Sequence, residues 1–359
     1  MRYNLGIVYG GRSTEHEVSL VSAENVYKAV DKKLYNVSLI KITKKGDFLL
    51  NKSDNFNLKD TAKEMVPITM FPSKGKNVLD LKTGDKICRI DVVFPVLHGT
   101  YGEDGTIQGF LEMLDVPYVG PGVLGSSVCI NKVVTKKLLN DSGILSAKYV
   151  SFKAHQKKEI NFSEIVKKLK LPLFLKPANL GSSVGICKIK DEKDFNKGLR
   201  EVFKYDNEVL IEECIKGREI ECAVLGNEKL KASVLGEVIP SGKHDFYDYD
   251  AKYKDAEGAI LLAPAKLPKD IVKKVQDLAL RAFVAARCEG MSRVDFFVTP
   301  KDIYFNEINT IPGFTNISMY PRLFVLSGIK YVELVKKLVS LALERHKAKQ
   351  KISTNRDNK

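Results

Sequence analysis

Apolar positions along this chain fall into three patterns, and each predicts a different element. Continuous apolar runs closed by glycine or polar residues predict buried strands at 5–9, 37–42, 91–97, 116–119 and 171–176. Apolar residues at helical spacing predict a helix over 269–286, with Ile271, Val275, Leu278, Ala282 and Ala286 on one face, and a closing helix over 330–345. Residues 220–225 and 230–238 predict a hairpin about Gly226-Asn227, and 208–213 predicts an edge strand. From about 43 to 86 the chain is polar and poorly patterned.

The third pattern is alternation, clearest in R-V-D-F-F-V-T-P-K-D-I-Y-F-N-E-I-N from Arg293 to Asn309. It predicts a hairpin turning at Thr299-Pro300-Lys301-Asp302. Alternate residues of a strand share a face, so Arg293 lies with Asp295, and Glu307 with Asn309. Two carboxylates and an amide can hold a hard divalent cation through oxygen, with a guanidinium beside them for an anion. Taken alone, the same pattern also describes a sheet whose polar face is in water.

Between these elements lie loops with candidate chemistry. Residues 10–19 join a strand to a helix through Gly10-Gly11; Thr14 and Glu17 have capping-box spacing, and Glu15 at the helix start suits either a ligand or the helix dipole. His98 ends a strand where open α/β sheets bind ligands, and opens a loop with three glycines and two acids. Residues 120–125 match G-x-G-x-x-G and raise a nicotinamide dehydrogenase as a rival. The partner acid about twenty residues on should end a strand, whereas Asp141 ends a helix. Lys176 passes into P-A-N-L-G-S-S-V-G, which is either an anion-binding turn with Ser182 and Ser183 as donors or a flexible surface loop. Residues 241–257 have the length and polar-aromatic character of a lid.

Length and composition set outer limits. At 359 residues, 44% hydrophobic and 28% charged, the chain predicts a globular α/β protein of two or three domains. No apolar run is long enough for a bilayer and the start lacks a signal peptide, which excludes a membrane partner and predicts a cytoplasmic protein. Six scattered cysteines predict reduced thiols rather than disulfides or zinc. The net charge of +14 raises nucleic acid as a partner, but no basic run is interleaved with aromatics, so none is expected. The tail, 347–359, reads as basic and disordered.

In this order, the motifs at 10–19, 98–109, 176–185, 246–253, 293–297 and 306–318 resemble the D-alanine–D-alanine ligases of the ATP-grasp superfamily. The resemblance implies a mixed α/β, three-domain ATP-grasp fold with ATP between the central and C-terminal domains. Expected boundaries are a substrate-binding domain at 1–121, a central unit at 122–213 and a catalytic unit at 214–346 with the lid at 241–257. It implies that Glu15, with His98, Gly313, Ser318 and Met319, binds D-alanine, and that Ser182 and Tyr253 close the lid through Glu15. Arg293 and the Gly313 N–H would stabilise an oxyanion. ATP contacts are implied for Lys132, Lys176, Ser182, Ser183, Glu212, Glu213, Ile215, Glu219, Lys252 and Asn306. Two Mg²⁺ ions per site, replaceable by Mn²⁺, would sit on Asp295, Glu307 and Asn309. A homodimer is implied, and a D-alanine–D-serine or D-alanine–D-lactate ligase is the sibling alternative. The chain departs from the family in Asn131, usually aspartate, and Ser292, usually alanine.

Overall fold

The computed structural model describes residues 2–51, 56, 65–72, 76–241 and 258–353. Three sheets carry the fold. The first contains β1 (Tyr3–Gly10), β2 (Tyr35–Ile42), β3 (Phe48–Asn51), β4 (Met65–Thr69), β5 (Asn77–Asp80), β6 (Lys86–Arg89) and β7 (Val92–Val96), in the order β6-β5-β4-β3-β2-β1-β7. β1 pairs parallel with both β2 and β7, which is why β7 is apolar at every position: helices cover both faces. The second sheet, antiparallel, has β8 (Tyr149–Lys153), β9 (Leu173–Pro177), β10 (Cys187–Ile189) and β11 (Glu208–Glu213) in the order β10-β9-β11-β8. The third has β12 (Arg218–Gly226), β13 (Lys231–Pro240), β14 (Ala259–Leu262), β15 (Gly290–Val298) and β16 (Ile303–Asn309) in the order β14-β13-β12-β15-β16.

Packing ties these sheets together unequally. The first and third share one core, in which Phe94 of β7 meets Phe314 edge-on at 5.6 Å and Tyr320 and Phe324 stack behind it. The second keeps its own core, built from Leu175, Phe195, Val202 and Ile211 under the helices Phe162–Leu169 and Glu192–Tyr205. The helix Lys269–Ala285 buries Val275, Ala279, Ala282 and Phe283 against the far face of the third sheet.

Several expectations need correction. The polar stretch before residue 86 contains β3 to β6, whose described strands run only four or five residues, too short for alternation to show. Residues 116–119 form a bridge between Tyr118 and Val93 rather than a strand. Glu208–Glu213 is an interior strand, because Tyr149–Lys153 pairs along its outer side. The first helix spans His16–Ala29 with Glu15 at its N-cap and no side-chain capping bond; Glu17 instead pairs with Lys44 at 2.6 Å. The last helix, Tyr331–Lys349, continues into the supposed tail, where Lys349 pairs with Glu112 of the first unit. Apart from Ser241, the predicted lid, with Lys252 and Tyr253, lies outside the described residues. All six cysteines are free thiols. Among the described residues, no helix is long and apolar enough to cross a membrane.

Candidate active site

The alternating hairpin forms as β15 and β16, closed by Thr299 N–H donating to the Asp302 carbonyl at 2.9 Å. Register places Arg293 opposite Asn309 and Asp295 opposite Glu307. On the other side of β15, Glu221 of β12 stands opposite Asp295. Three carboxylates therefore lie in a row across three strands, an arrangement that repels itself without cations. Arg293 supplies one: it donates to Asp295 through Nε (2.8 Å) and Nη2 (2.7 Å), and its Nε lies 3.3 Å from Glu221. Burial opposes its charge, but Asp295 and Glu221 raise its pKa well above the ordinary value, so it stays cationic. Lys132 Nζ approaches Glu307 at 3.9 Å.

A register shift between Asp295 and Phe296 leaves Asn306 without a strand partner. Such a bulge re-aims side chains. Asn306 accordingly faces the same groove as Glu307, with Oδ1 3.4 Å from Lys176 Nζ, where strict alternation would have put it on the opposite face.

Two cavities meet at this hairpin. One, of about 110 Å³, lies between the first and third units and is lined by Glu15, His98, Arg293, Gly313, Ser318 and Met319 among others. The other, of about 420 Å³, lies between the second and third sheets and takes Lys176, Ser183, Glu212, Glu213, Ile215, Glu219 and Asn306 into its lining. Glu307 lines both.

The smaller cavity is walled by acids and clamped backbone. Ser182 donates to Glu15 from a turn in which Ser182 and Ser183 both adopt positive φ (51° and 58°), a conformation that exposes backbone N–H groups. Gly99 must be glycine on two counts: its φ is +71°, and a Cβ there would come 2.7 Å from Glu15 Oε2. His98 lines the cavity, but both ring nitrogens are engaged, one with the Ile311 carbonyl (3.0 Å) and one with Ser22 Oγ (3.1 Å). Burial lowers its pKa to about 4, so it is neutral at pH 7. Glu103 accepts from the N–H groups of Gly99 (2.8 Å) and Ile311 (3.0 Å); burial and the nearby Glu15 push its pKa up to about 8. Phe314 N–H is held by Ser22 Oγ at 3.2 Å. The chain is thus fixed on both sides of Gly313, and Ser318 Oγ sits close enough that a Cβ on Gly313 would meet it at 2.6 Å.

The larger cavity is walled by lysine. Glu212 is buried with Lys176 on Oε1 and Lys136 3.0 Å from Oε2. Burial alone would raise its pKa, but the two ammonium groups hold it down at about 2. Burial also works against Lys176, yet Glu212 raises its pKa above the ordinary lysine value. Asn131 caps the helix Lys132–Asp141, accepting from Val134 N–H at 2.9 Å, and its amide nitrogen donates to Asn179 (2.8 Å) and Glu208 (3.2 Å). An aspartate would keep the cap but face the Glu208 carboxylate; the amide turns that repulsion into a hydrogen bond.

The hairpin donors fit a hard cation: Asp295, Glu307 and Asn309 offer only oxygen, without thiolate or imidazole. Among the described residues no three His, Cys, Asp or Glu side chains cluster as a cage. Mg²⁺ takes one or two carboxylates and completes its shell with phosphate and water, so it needs no such cage. Asn309 Nδ2 donates to Asp295 at 2.9 Å, so Oδ1, the other end of the amide, would be the atom it offers to such a cation. Sequence reasoning missed Glu103, Lys136 and Glu221. Glu103 showed only as one of the two acids in the loop after His98, and Glu221 in the alternation Glu219-Ile220-Glu221 on a strand beside the hairpin.

Two α/β units closing on a lysine-walled groove, with a carboxylate hairpin at its inner end, define an ATP-grasp ligase. The family described as D-ala D-ala ligase N-terminus matches residues 4–121, and D-ala D-ala ligase C-terminus matches 138–340. The chain belongs to the D-alanine–D-alanine ligase family. It is 45% identical to the D-alanine–D-alanine ligase of Oceanobacillus iheyensis over the full length of both chains (100% each). Its fold superposes on the D-alanine–D-alanine ligase of Coxiella burnetii with a TM-score of 0.87 at 38% identity, covering 98% of this chain and 96% of that one. The VanG D-Ala:D-Ser ligase of Enterococcus faecalis gives 0.85 at 35%, covering 95% and 100%. Family membership carries ATP as a substrate.

Proposed function

We propose that the chain joins two D-alanines to D-alanyl-D-alanine for peptidoglycan precursor synthesis, converting ATP to ADP and phosphate through a D-alanyl phosphate. The observation that carries this reading is Glu307, shared by an acid-walled cavity sized for small amino acids and a lysine-walled groove. A carboxylate in one and a terminal phosphate in the other meet at that side chain.

Glu15 receives the ammonium group of the first D-alanine, oriented by Ser182. Its carboxylate attacks the γ-phosphate, whose charge Lys132 and Lys176 offset. Ser183, Glu212, Glu213, Ile215, Glu219 and Asn306 line the nucleotide, and Ser318 with Met319 receives the second D-alanine. When its amine attacks the acyl phosphate, Arg293 and the Gly313 N–H hold the tetrahedral oxyanion, which collapses as phosphate leaves. Asp295, Glu307 and Asn309 would hold two Mg²⁺ (or Mn²⁺), which supply charge neutralisation between the phosphates and the attacking carboxylate. Exclusion of water falls to the lid at 241–257 with Lys252 and Tyr253. The reading carries with it three domains at 1–121, 122–213 and 214–346, a cytoplasmic location and a homodimer, which light scattering would test.

The experiment is product analysis by mass spectrometry with ATP, Mg²⁺ and D-alanine. The reading expects D-Ala-D-Ala and one phosphate per dipeptide. Turnover only after D-serine or D-lactate is added would replace it with the sibling activity, which the likeness to the D-Ala:D-Ser ligase keeps in play. No ATP-dependent product with any of the three would overturn both.

A further inference from the structure

We propose that Lys136, absent from the lining of both cavities, is a positioning residue for nucleotide binding: by neutralising Glu212 from behind, it leaves Lys176 with a surplus positive charge toward the polyphosphate. The inference rests on the nucleotide reading of the larger groove. Lys136 lies four residues beyond Lys132 on the helix Lys132–Asp141, so both side chains leave the same face. Lys132 reaches the Leu180 carbonyl and approaches Glu307, while Lys136, 1% exposed, goes inward to Glu212. Lys176 and Glu212 are diagonal neighbours on adjacent strands, and both face the groove.

One carboxylate and one ammonium would already make a neutral pair, with Lys176 on Oε1 and, among the described residues, only Lys136 near the buried Oε2. A second fully buried ammonium adds desolvation cost and repels the first, so it is a poor way to stabilise a fold. Electrostatically, its effect is to bring the trio of Glu212, Lys176 and Lys136 from zero to one net positive charge, with Glu307 and Glu219 acting on Lys176 from outside the trio. That charge can be expressed only where the cluster meets solvent, through Lys176 at the groove wall. An anion arriving there completes the balance.

Binding of ATP, ADP and adenosine by calorimetry separates this role from a structural one. In Lys136→Met, ATP and ADP should bind about tenfold more weakly, the scale of one hydrogen bond to a charged group, while adenosine, which lacks phosphate, stays within about twofold. Lys136→Arg should restore ATP binding. The double variant Lys136→Met with Glu212→Gln again carries one net positive charge; because Glu212 itself lines the groove, it is read by the ratio of ATP to adenosine affinity, which should return toward the wild-type ratio that Lys136→Met loses, and it remains informative if the single variant does not fold. Equal losses for adenosine and ATP in Lys136→Met, unchanged ATP binding, or a double variant whose ratio of ATP to adenosine affinity stays as low as the single variant's would each overturn the proposal. A wild-type chain that binds no ATP would overturn the nucleotide reading, and this inference with it.

Discussion

The two cavities share Glu307 and differ in nearly everything else, most plainly in how each treats a buried glutamate. Glu103, beside the smaller cavity, has neutral N–H partners and another acid nearby, and its pKa rises to about 8. Glu212, in the wall of the larger, is buried as deeply but lies between two lysines, and its pKa falls to about 2. Desolvation acts in the same direction on both; the neighbours decide the sign. An acid wall suits an incoming ammonium group and a lysine wall an incoming polyphosphate, which is the division of ligands that the proposed function requires. The packing differs in parallel: the smaller cavity lies between units that share a core, the larger beside a unit with a core of its own.

The largest effect should come from the shared residue. Glu307→Gln removes one charge from both cavities and, on the proposed reading, one metal ligand, and should lower D-Ala-D-Ala formation by at least roughly a hundredfold while the thermal transition stays cooperative. Turnover within threefold of wild type would remove Glu307 from the site and with it the junction.

Gly313→Ala tests whether the smaller cavity can be damaged alone. The new Cβ would lie 2.6 Å from Ser318 Oγ, so the serine must leave the position from which it bonds Thr315 N–H at 2.9 Å. The expected result is a fall of about ten- to hundredfold in kcat/KM for the second D-alanine, with ATP binding unchanged. An equal rise in KM for ATP would show that the two cavities are not separable.

Acid and base should then distinguish the two glutamates. Because the folded pKa of Glu212 is depressed, the fold gains stability from it above the ordinary 4.5 and loses that gain as pH falls through about 2. Glu103 has the opposite sign: its contribution is present below 4.5 and is lost as pH rises through about 8, since the folded chain then holds a proton the unfolded chain has released. Melting curves of Glu103→Gln should decline less between pH 4.5 and 8 than wild type, and those of Glu212→Gln should lose part of the acid limb. Identical pH profiles for the two variants would sink the contrast.

How much of this was legible in the sequence follows from the range of each interaction. The hairpin, the strand ending at Lys176 and the helix Lys269–Ala285 are set by local pattern, and they stand where the pattern puts them. The four strands after β2 were hidden because short strands carry too few alternations to rise above their polar surroundings. Glu103, Lys136 and Glu221 were hidden for another reason: each acquires its partner from a distant segment, Ile311, Glu212 and Arg293 respectively, through a register that no local pattern encodes. The bulge at Asn306 is a third case, since one extra residue reverses the face that alternation assigns.

The smallest effect probes a buried hydroxyl beside the site. Ser292 precedes Arg293 on β15, fully buried, and its hydroxyl finds no hydrogen-bond partner among the described residues. Burying a hydroxyl without a partner costs free energy that an alanine methyl does not. Strand alternation turns Ser292 away from the face that carries Arg293 and Asp295, so the change should leave both cavities intact. Ser292→Ala should therefore raise stability by roughly 1 kcal/mol with turnover unchanged, measured by urea unfolding and phosphate release. A loss of stability would mean that the hydroxyl has a partner among the residues not described. A change in turnover would mean that the strand transmits strain to Arg293.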